Sequence, residues 1–149
     1  MRALLTETND GLASVAENFM AEEKKGVPKI LVVEDNEINI RVAIATLKKL
    51  GYQSDIATDG AEAVKVVSSG EAAYQLILMD CHMPNMNGYE ATQAIRAMSG
   101  DSAKTPIVAM TAGAMVGDRE KCIEAGMDDY LSKPLRRELL KQVLEKWVD

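Results

Sequence analysis

The chain has 149 residues, 47% of them hydrophobic, and a formal net charge of −6 at pH 7. That length and apolar content suit one soluble globular domain with its own core, and the acidic balance argues against a general binder of nucleic acid or anionic membrane. No apolar run reaches the roughly 20 residues of a membrane span, the N-terminus lacks a signal-peptide pattern, and two cysteines at no ligand spacing, Cys81 and Cys122, point to free thiols in a reducing compartment.

Residues 1–28 stand apart. A polar, turn-like stretch precedes Leu12, Val15 and Phe19 at helical spacing, and a charged stretch ending in Gly26 follows. This part reads as an N-terminal linker or extension, partly helical or disordered, ahead of a domain spanning 29–149. From Lys29 the pattern becomes regular. Residues 30–33 (Ile-Leu-Val-Val) form an unbroken apolar run, as in a strand buried on both faces of a parallel sheet. The run ends in Glu34 and Asp35. Asn36 is placed to cap a helix with apolar positions at Ile40, Ala43, Ile44, Leu47 and Leu50. Gly51 stops it, and residues 53–57 form a short second strand.

Asp59 and Glu62 have capping-box spacing, opening a helix that buries Ala63, Val64 and Val67 and ends at Ser69 and Gly70. Leu76, Ile77, Leu78 and Met79 then run without alternation into Asp80, and Pro84 and Gly88 mark the loop beyond. Asn87 and Glu90 repeat the cap spacing before a helix through Ala91, Ala94, Ile95 and Met98. Residues 99–105 read as a polar loop, and 106–110 as a fourth strand, with Pro106 tolerable at its first position and Thr111 at its end. Residues 114–125 read as a helix closed by Gly126, and 129–131 as a short fifth strand. Lys133-Pro134 turns the chain into a last helix with Leu135, Leu139, Leu140, Val143, Leu144 and Trp147 on one side.

Five alternations of strand and helix mean an α/β domain: a five-stranded parallel sheet with helices on both faces. The order 2-1-3-4-5 makes strands one and three neighbours, and ligands bind at the carboxyl edge of such a sheet. Glu34, Asp35 and Asp80 meet there, joined by Thr111 and Lys133 from the ends of strands four and five. Three uncompensated carboxylates would raise one another's pKa. A hard divalent cation and the Lys133 ammonium relieve this, and Mg²⁺ suits the oxygen donors. The pattern predicts Asp80 as a carboxylate nucleophile that accepts a phosphoryl group. Lys133 would hold one phosphoryl oxygen and Thr111 would donate a hydrogen bond to another.

These residues resemble the receiver domain of two-component response regulators. Glu34-Asp35, Asp80, Thr111 and Lys133-Pro134 fall at strand ends in that family's order. The wording around them is similar to receivers of hybrid histidine kinases: Val33 to Asn36 with Asn39, Met79-Asp80 through Met83-Pro84 to Gly88, and Met110 to Ala112 through Gly117-Asp118. The resemblance implies a flavodoxin-like, doubly wound (βα)5 fold. It implies that Asp80 is phosphorylated from a phosphohistidine and exchanges the group with a histidine phosphotransfer protein. It implies Mg²⁺, with Mn²⁺ as an alternative, held by Asp35, Asp80 and the main-chain carbonyl of His82, with Glu34 acting mainly through water. Thr111 and Tyr130 would be the switch residues, and the Lys133-Pro134 bond would be cis. Such a domain catalyses its own phosphorylation and slow dephosphorylation but is not itself a kinase. It works in the cytoplasm, including as the cytoplasmic part of a membrane-anchored sensor, and contacts neither nucleic acid nor membrane. Gly113 departs from the family wording, where asparagine is common, and implies a phosphoryl group more open to water.

Two other readings compete. An aspartate-nucleophile phosphatase would place two aspartates one residue apart after strand one, whereas Glu34 and Asp35 are adjacent and the nucleophile candidate is on strand three. A phosphorylation-independent binding module, a degenerate receiver, would have lost part of the five-residue set. A nucleotide-binding Rossmann domain is a weaker reading still, since no Gly-rich fingerprint follows the first strand. With His82 the only histidine and no room for an ATP-binding or output domain, the chain is expected to be a piece of a larger hybrid kinase or a stand-alone receiver.

Overall fold

The computed structural model describes residues 29–112 and 117–148. Its elements alternate in chain order: β1 (Lys29–Val33), α1 (Glu37–Lys49), β2 (Gln53–Ala57), α2 (Gly60–Ser69), β3 (Leu76–Asp80), α3 (Gly88–Arg96), β4 (Ile107–Thr111), α4 (Asp118–Ala125), β5 (Asp129–Ser132) and α5 (Arg137–Trp147). The strands form one parallel sheet in the order β2-β1-β3-β4-β5.

The unbroken apolar wording of the central strands follows from covering both faces of the sheet. Every residue of β3 and β4 is buried. Alternate side chains feed two cores. Leu31, Val33, Ile77, Met79, Ile107 and Ala109 meet Ala63, Val67, Ala91 and Ile95 from α2 and α3. Ile30, Val32, Leu76, Leu78, Val108 and Met110 meet Ala43, Leu47, Leu140 and Leu144 from α1 and α5. Val33 pairs with Met79, so Glu34 and Asp80, the next residue along each strand, emerge side by side.

The helix starts are set locally. The Asn39 amide donates to Asn36 Oδ1 at 3.0 Å, and Asn87 and Glu90 form a reciprocal capping box with bonds of 2.9 and 3.0 Å. Asp59 accepts from the Glu62 amide, but the Glu62 side chain reaches Thr58 rather than the Asp59 amide.

The structure corrects several sequence expectations. Ile44 and Leu139 are 36% and 43% exposed, not buried. Each lies on the apolar stripe of its helix but outside its fully buried part, which is Ala43 and Leu47 on α1 and Leu140, Val143 and Leu144 on α5, with Leu50, Leu135 and Trp147 packed partly buried against the same core. Pro106 lies just ahead of β4, where its carbonyl accepts from the Ile77 amide. The loop before β4 holds a 3₁₀ turn at Asp101–Lys104. Arg96 pins this turn by donating to the Ala103 and Thr105 carbonyls, and it also holds the Gly126 carbonyl and Asp128. The expected start of the fourth helix at 114–116, Gly113, residues 1–28 and Asp149 lie outside the described residues. Among the described residues no helix is long and apolar enough to cross a membrane.

Two glycines let the loop after β3 fold back beside the strand tips. The Gly88 amide donates to the Cys81 carbonyl at 3.1 Å, and a Cβ on Gly88 would overlap the Asp80 carbonyl oxygen. The Gly60 amide donates to the Met86 carbonyl at 3.0 Å, and a Cβ there would lie 2.5 Å from that oxygen. Gly88→Ala is therefore expected to destabilise the fold by about 1–3 kcal/mol through overpacking against backbone that cannot yield. Thermal melts followed by circular dichroism check this, and an unchanged midpoint would show that the loop is not held down at Gly88.

Candidate functional site

Glu34, Asp35 and Asp80 stand at the tips of β1 and β3. Glu34 and Asp80 are buried and Asp35 is exposed. One carboxylate oxygen from each lies within 4.8 Å of the others. Lys133, just past β5, enters the same pocket. Its Nζ lies 2.8 Å from Glu34 Oε1 and 3.1 Å from Asp80 Oδ1. The contact to Glu34 is an ion pair rather than an aligned hydrogen bond. Glu34 Oε2 accepts from the Asn36 amide at 3.1 Å, and Asp80 Oδ1 accepts from the His82 amide at 3.2 Å.

Burial governs the electrostatics. It raises the Asp80 carboxyl, and the Glu34 charge adds to the rise, so the group is pushed up to about 6 against the partial relief of Lys133 and the His82 amide. Burial acts on Glu34 in the same direction, but Lys133 and the Asn36 amide outweigh it and hold that carboxyl below its ordinary value. For Lys133 burial works against the charge, yet the two carboxylates raise its pKa above the ordinary value.

Thr111 lies at the tip of β4. Its hydroxyl is buried and has no hydrogen-bond partner. Its carbonyl accepts from the Lys133 amide at 2.7 Å, which ties the tips of β4 and β5 together. The Lys133-Pro134 bond is cis. Tyr130 on β5 is half-buried, with the Arg119 guanidinium 5.8 Å from its ring centroid. The His82 side chain is exposed and packs edge-on against Tyr89, with ring centroids 6.1 Å apart. Cys81 is buried behind Asp80 with its thiol pushed up to about 12 by burial, so it is a packing residue, not a nucleophile.

All the sequence-predicted residues except Tyr130 thus fall at one edge of the sheet. Glu34, Asp35, Asp80 and Lys133 are brought together, Thr111 is on the adjoining strand tip, His82 meets Asp80 through its backbone, and Tyr130 lies two residues back from the tip of β5. Sequence reasoning missed the Asn36 amide on Glu34, having read Asn36 only as a helix cap. It also missed the Glu34–Lys133 pair. An all-oxygen donor set of three acids fits a hard divalent ion. A buried hydroxyl without an acceptor and an inward ammonium fit an anion.

The sheet order, the acid cluster at the switch point and the lysine beyond β5 define a receiver-type α/β domain. Residues 30–145 match the response regulator receiver domain, and the chain belongs to that family. It is 41% identical over 119 residues to the hybrid signal transduction protein dokA of Dictyostelium discoideum, covering 80% of this chain and 7% of that protein. It is 39% identical over 120 residues to the sensor histidine kinase RcsC of Escherichia coli (strain K12), covering 80% and 12%. The chain therefore spans a small part of the curated relatives it matches. Among solved structures, the receiver domain of sensor histidine kinase PA1611 from Pseudomonas aeruginosa PAO1 is 44% identical with a TM-score of 0.75, over 82% of this chain and 98% of that one. That structure has a magnesium ion coordinated in its active-site cleft. Chemotaxis protein CheY4 of Vibrio cholerae is 29% identical with a TM-score of 0.75, over 83% and 100%.

The raised Asp80 carboxyl makes a stability prediction. A carboxyl whose folded pKa exceeds its unfolded value contributes stability below the unfolded value and loses it as pH rises through the folded one. At pH 7.5 without divalent ions, the ionised Asp80 therefore costs stability. Asp80→Asn is expected to stabilise the protein there by roughly 1–3 kcal/mol. The gain should shrink as pH falls from about 6 towards the ordinary 3.8 of an aspartate. Urea melts of both proteins across that window check it, and a gap that persists on acidification would place the burden elsewhere.

Proposed function

We propose that this domain takes a phosphoryl group from a phosphohistidine onto Asp80 and exchanges it with a histidine phosphotransfer protein in a His-to-Asp phosphorelay. The observation that carries the reading is the pairing of a buried, partly repelled carboxylate with an inward lysine and an orphan buried hydroxyl. An Asp80 carboxylate oxygen would bond to phosphorus while the bond from phosphorus to the donor imidazole nitrogen breaks, and that nitrogen keeps the electron pair. Lys133 would move its ion pair from Asp80 to an incoming phosphoryl oxygen. The Thr111 hydroxyl would donate to a second oxygen, gaining the acceptor it lacks. Tyr130 would follow Thr111 inward, with the change read out along β4, β5 and α4.

Asp35, Asp80 and the His82 carbonyl, with Glu34 nearby, would hold Mg²⁺, for which Mn²⁺ is an alternative. Bound there, the ion would offset the charge of the phosphoryl oxygens. The receiver would occupy 29–149, with 1–28 as a linker or extension, and would operate in the cytoplasm as part of a hybrid sensor kinase or alone.

The surface beside the pocket supports a helical protein partner. Ile38 and Val42, one turn apart on α1, are 72% and 40% exposed. Val42 also lines a crevice with Glu34, Asn39, Pro134 and Leu135 at the edge of the site. An apolar strip next to an acid pocket suits a helix that presents a phosphohistidine among apolar residues.

Incubation with acetyl phosphate and Mg²⁺ is expected to give a base-labile acyl phosphate on Asp80. Equal labelling of Asp80→Asn, read by intact mass, would refute the assignment. Lys133→Ala is expected to retain some labelling but to weaken the conformational response to beryllofluoride. Backbone NMR shifts of β4 and β5 report it, and a wild-type pattern in the variant would remove Lys133 from the coupling.

A further inference from the structure

A groove of about 650 Å³ opens beside the edge strand β2 and the helix α2. It takes in Lys29 at the start of β1 and Tyr74 ahead of β3, so it lies towards the opposite end of these strands from Glu34 and Asp80. Ile56, Val66, Ala72 and Tyr74 line it, and each keeps part of its surface exposed. Lys65 and Glu71, both exposed, add one charge of each sign. Lys29 is fixed in the wall. Its Nζ lies 3.3 Å from Asp55 Oδ2, which also accepts from the Tyr74 hydroxyl at 2.7 Å, and its carbonyl accepts from the Gln75 amide at 2.9 Å. The chain ahead of β1 therefore enters the domain at this groove.

We propose that the groove is the docking site of this chain's own N-terminal segment, with Leu12, Val15 and Phe19 against its apolar residues and 20–28 as the tether. The point of entry favours this occupant over a separate partner. Residues 20–28 reach about 30 Å when extended, and Gly26 and Pro28 suit a turn back onto the domain. A segment tethered this closely is held at an effective concentration of about millimolar, so contacts too weak for a free peptide suffice. The apolar pattern matches: Leu12, Val15 and Phe19 recur at the spacing of one helix face. The charges match as well, because Glu22-Glu23 and Lys24-Lys25 can meet Lys65 and Glu71. Docking would also cover the side of the sheet that ends in β2, and edge strands are commonly protected by a helix or loop. The segment would then fix the direction from which any preceding chain arrives. None of this depends on the chemistry of Asp80.

Phe19 is the only phenylalanine, so NMR of the full chain with labelled phenylalanine follows one ring. Nuclear Overhauser contacts are expected between the Phe19 ring and the methyl groups of Ile56 or Val66. Their absence would overturn the proposal and leave the groove to a separate partner. Contacts seen only between chains, in a mixture of labelled and unlabelled protein, would overturn it in favour of exchange between copies. With fluorophenylalanine, the single fluorine signal is expected to sit away from its position in urea and to move towards that position in Val66→Lys. The Trp147 indole signal, held by a 2.9 Å bond to Asp129, reports that the variant keeps its fold. A fluorine signal that Val66→Lys leaves in place in the folded variant would show that Phe19 packs elsewhere and would overturn the assignment.

Discussion

The ion pairs of Lys133 with Glu34 and Asp80 are the constraint on which the site depends. Register places two buried carboxylates on neighbouring strand tips with a third acid beside them. In a low-dielectric setting they repel one another strongly. One ammonium offsets one of the three charges, leaving a formal −2 when all three acids are ionised. That residue of charge is what a divalent ion would complement. The lysine favours the ionised carboxylates, while burial first and the Glu34 charge second hold the Asp80 carboxyl above its ordinary value.

The fold makes this arrangement tolerable by confining it to one edge. β3 is apolar from Leu76 to Met79 and carries its single charge at the last residue. Both faces of the strand are covered, so a charge further back would meet only side chains from the two cores. At the tip, backbone amides of the following loop become available, and the His82 and Asn36 amides each take one carboxylate oxygen. Gly88 and Gly60 let that loop lie close enough to matter. Stability is given up locally at a functional site and supplied by the rest of the sheet.

What was legible in the sequence was whatever short-range physics decides. Unbroken apolar runs marked β1, β3 and β4, because only a strand covered on both faces needs them. Asn36, Asp59 and Asn87 marked helix starts, because a cap bonds to an amide three residues on. The meeting of Glu34, Asp35 and Asp80 followed from strand order alone. Less legible was anything set by how far one element covers another. The stripe on α1 includes Ile44, but burial is complete only at Ala43 and Leu47. Arg96 draws together a 3₁₀ turn, the end of α4 and the start of β5 through carbonyls that no side-chain pattern announces. The Glu34–Lys133 pair was hidden because the resemblance assigned Glu34 to the cation, and only the folded arrangement shows that the lysine meets both acids.

The orphan hydroxyl of Thr111 gives the proposed switch a direction. A buried donor without an acceptor costs about 1–3 kcal/mol relative to a satisfied one. In the proposed resting state Thr111 would carry such a cost, held in place by burial on β4 and by the bond from the Lys133 amide to the Thr111 carbonyl. An anionic oxygen arriving at Asp80 would remove it, so the bound state gains at Thr111 as well as at Lys133. Thr111 pairs with Ser132 across β4 and β5, and Tyr130 lies two residues back on the same short strand. Under that proposal a shift of the hydroxyl towards the pocket would act on a strand of only four residues, whose tyrosine is half-buried. In that proposed switch the unsatisfied group would supply part of the difference in binding free energy that any population shift requires.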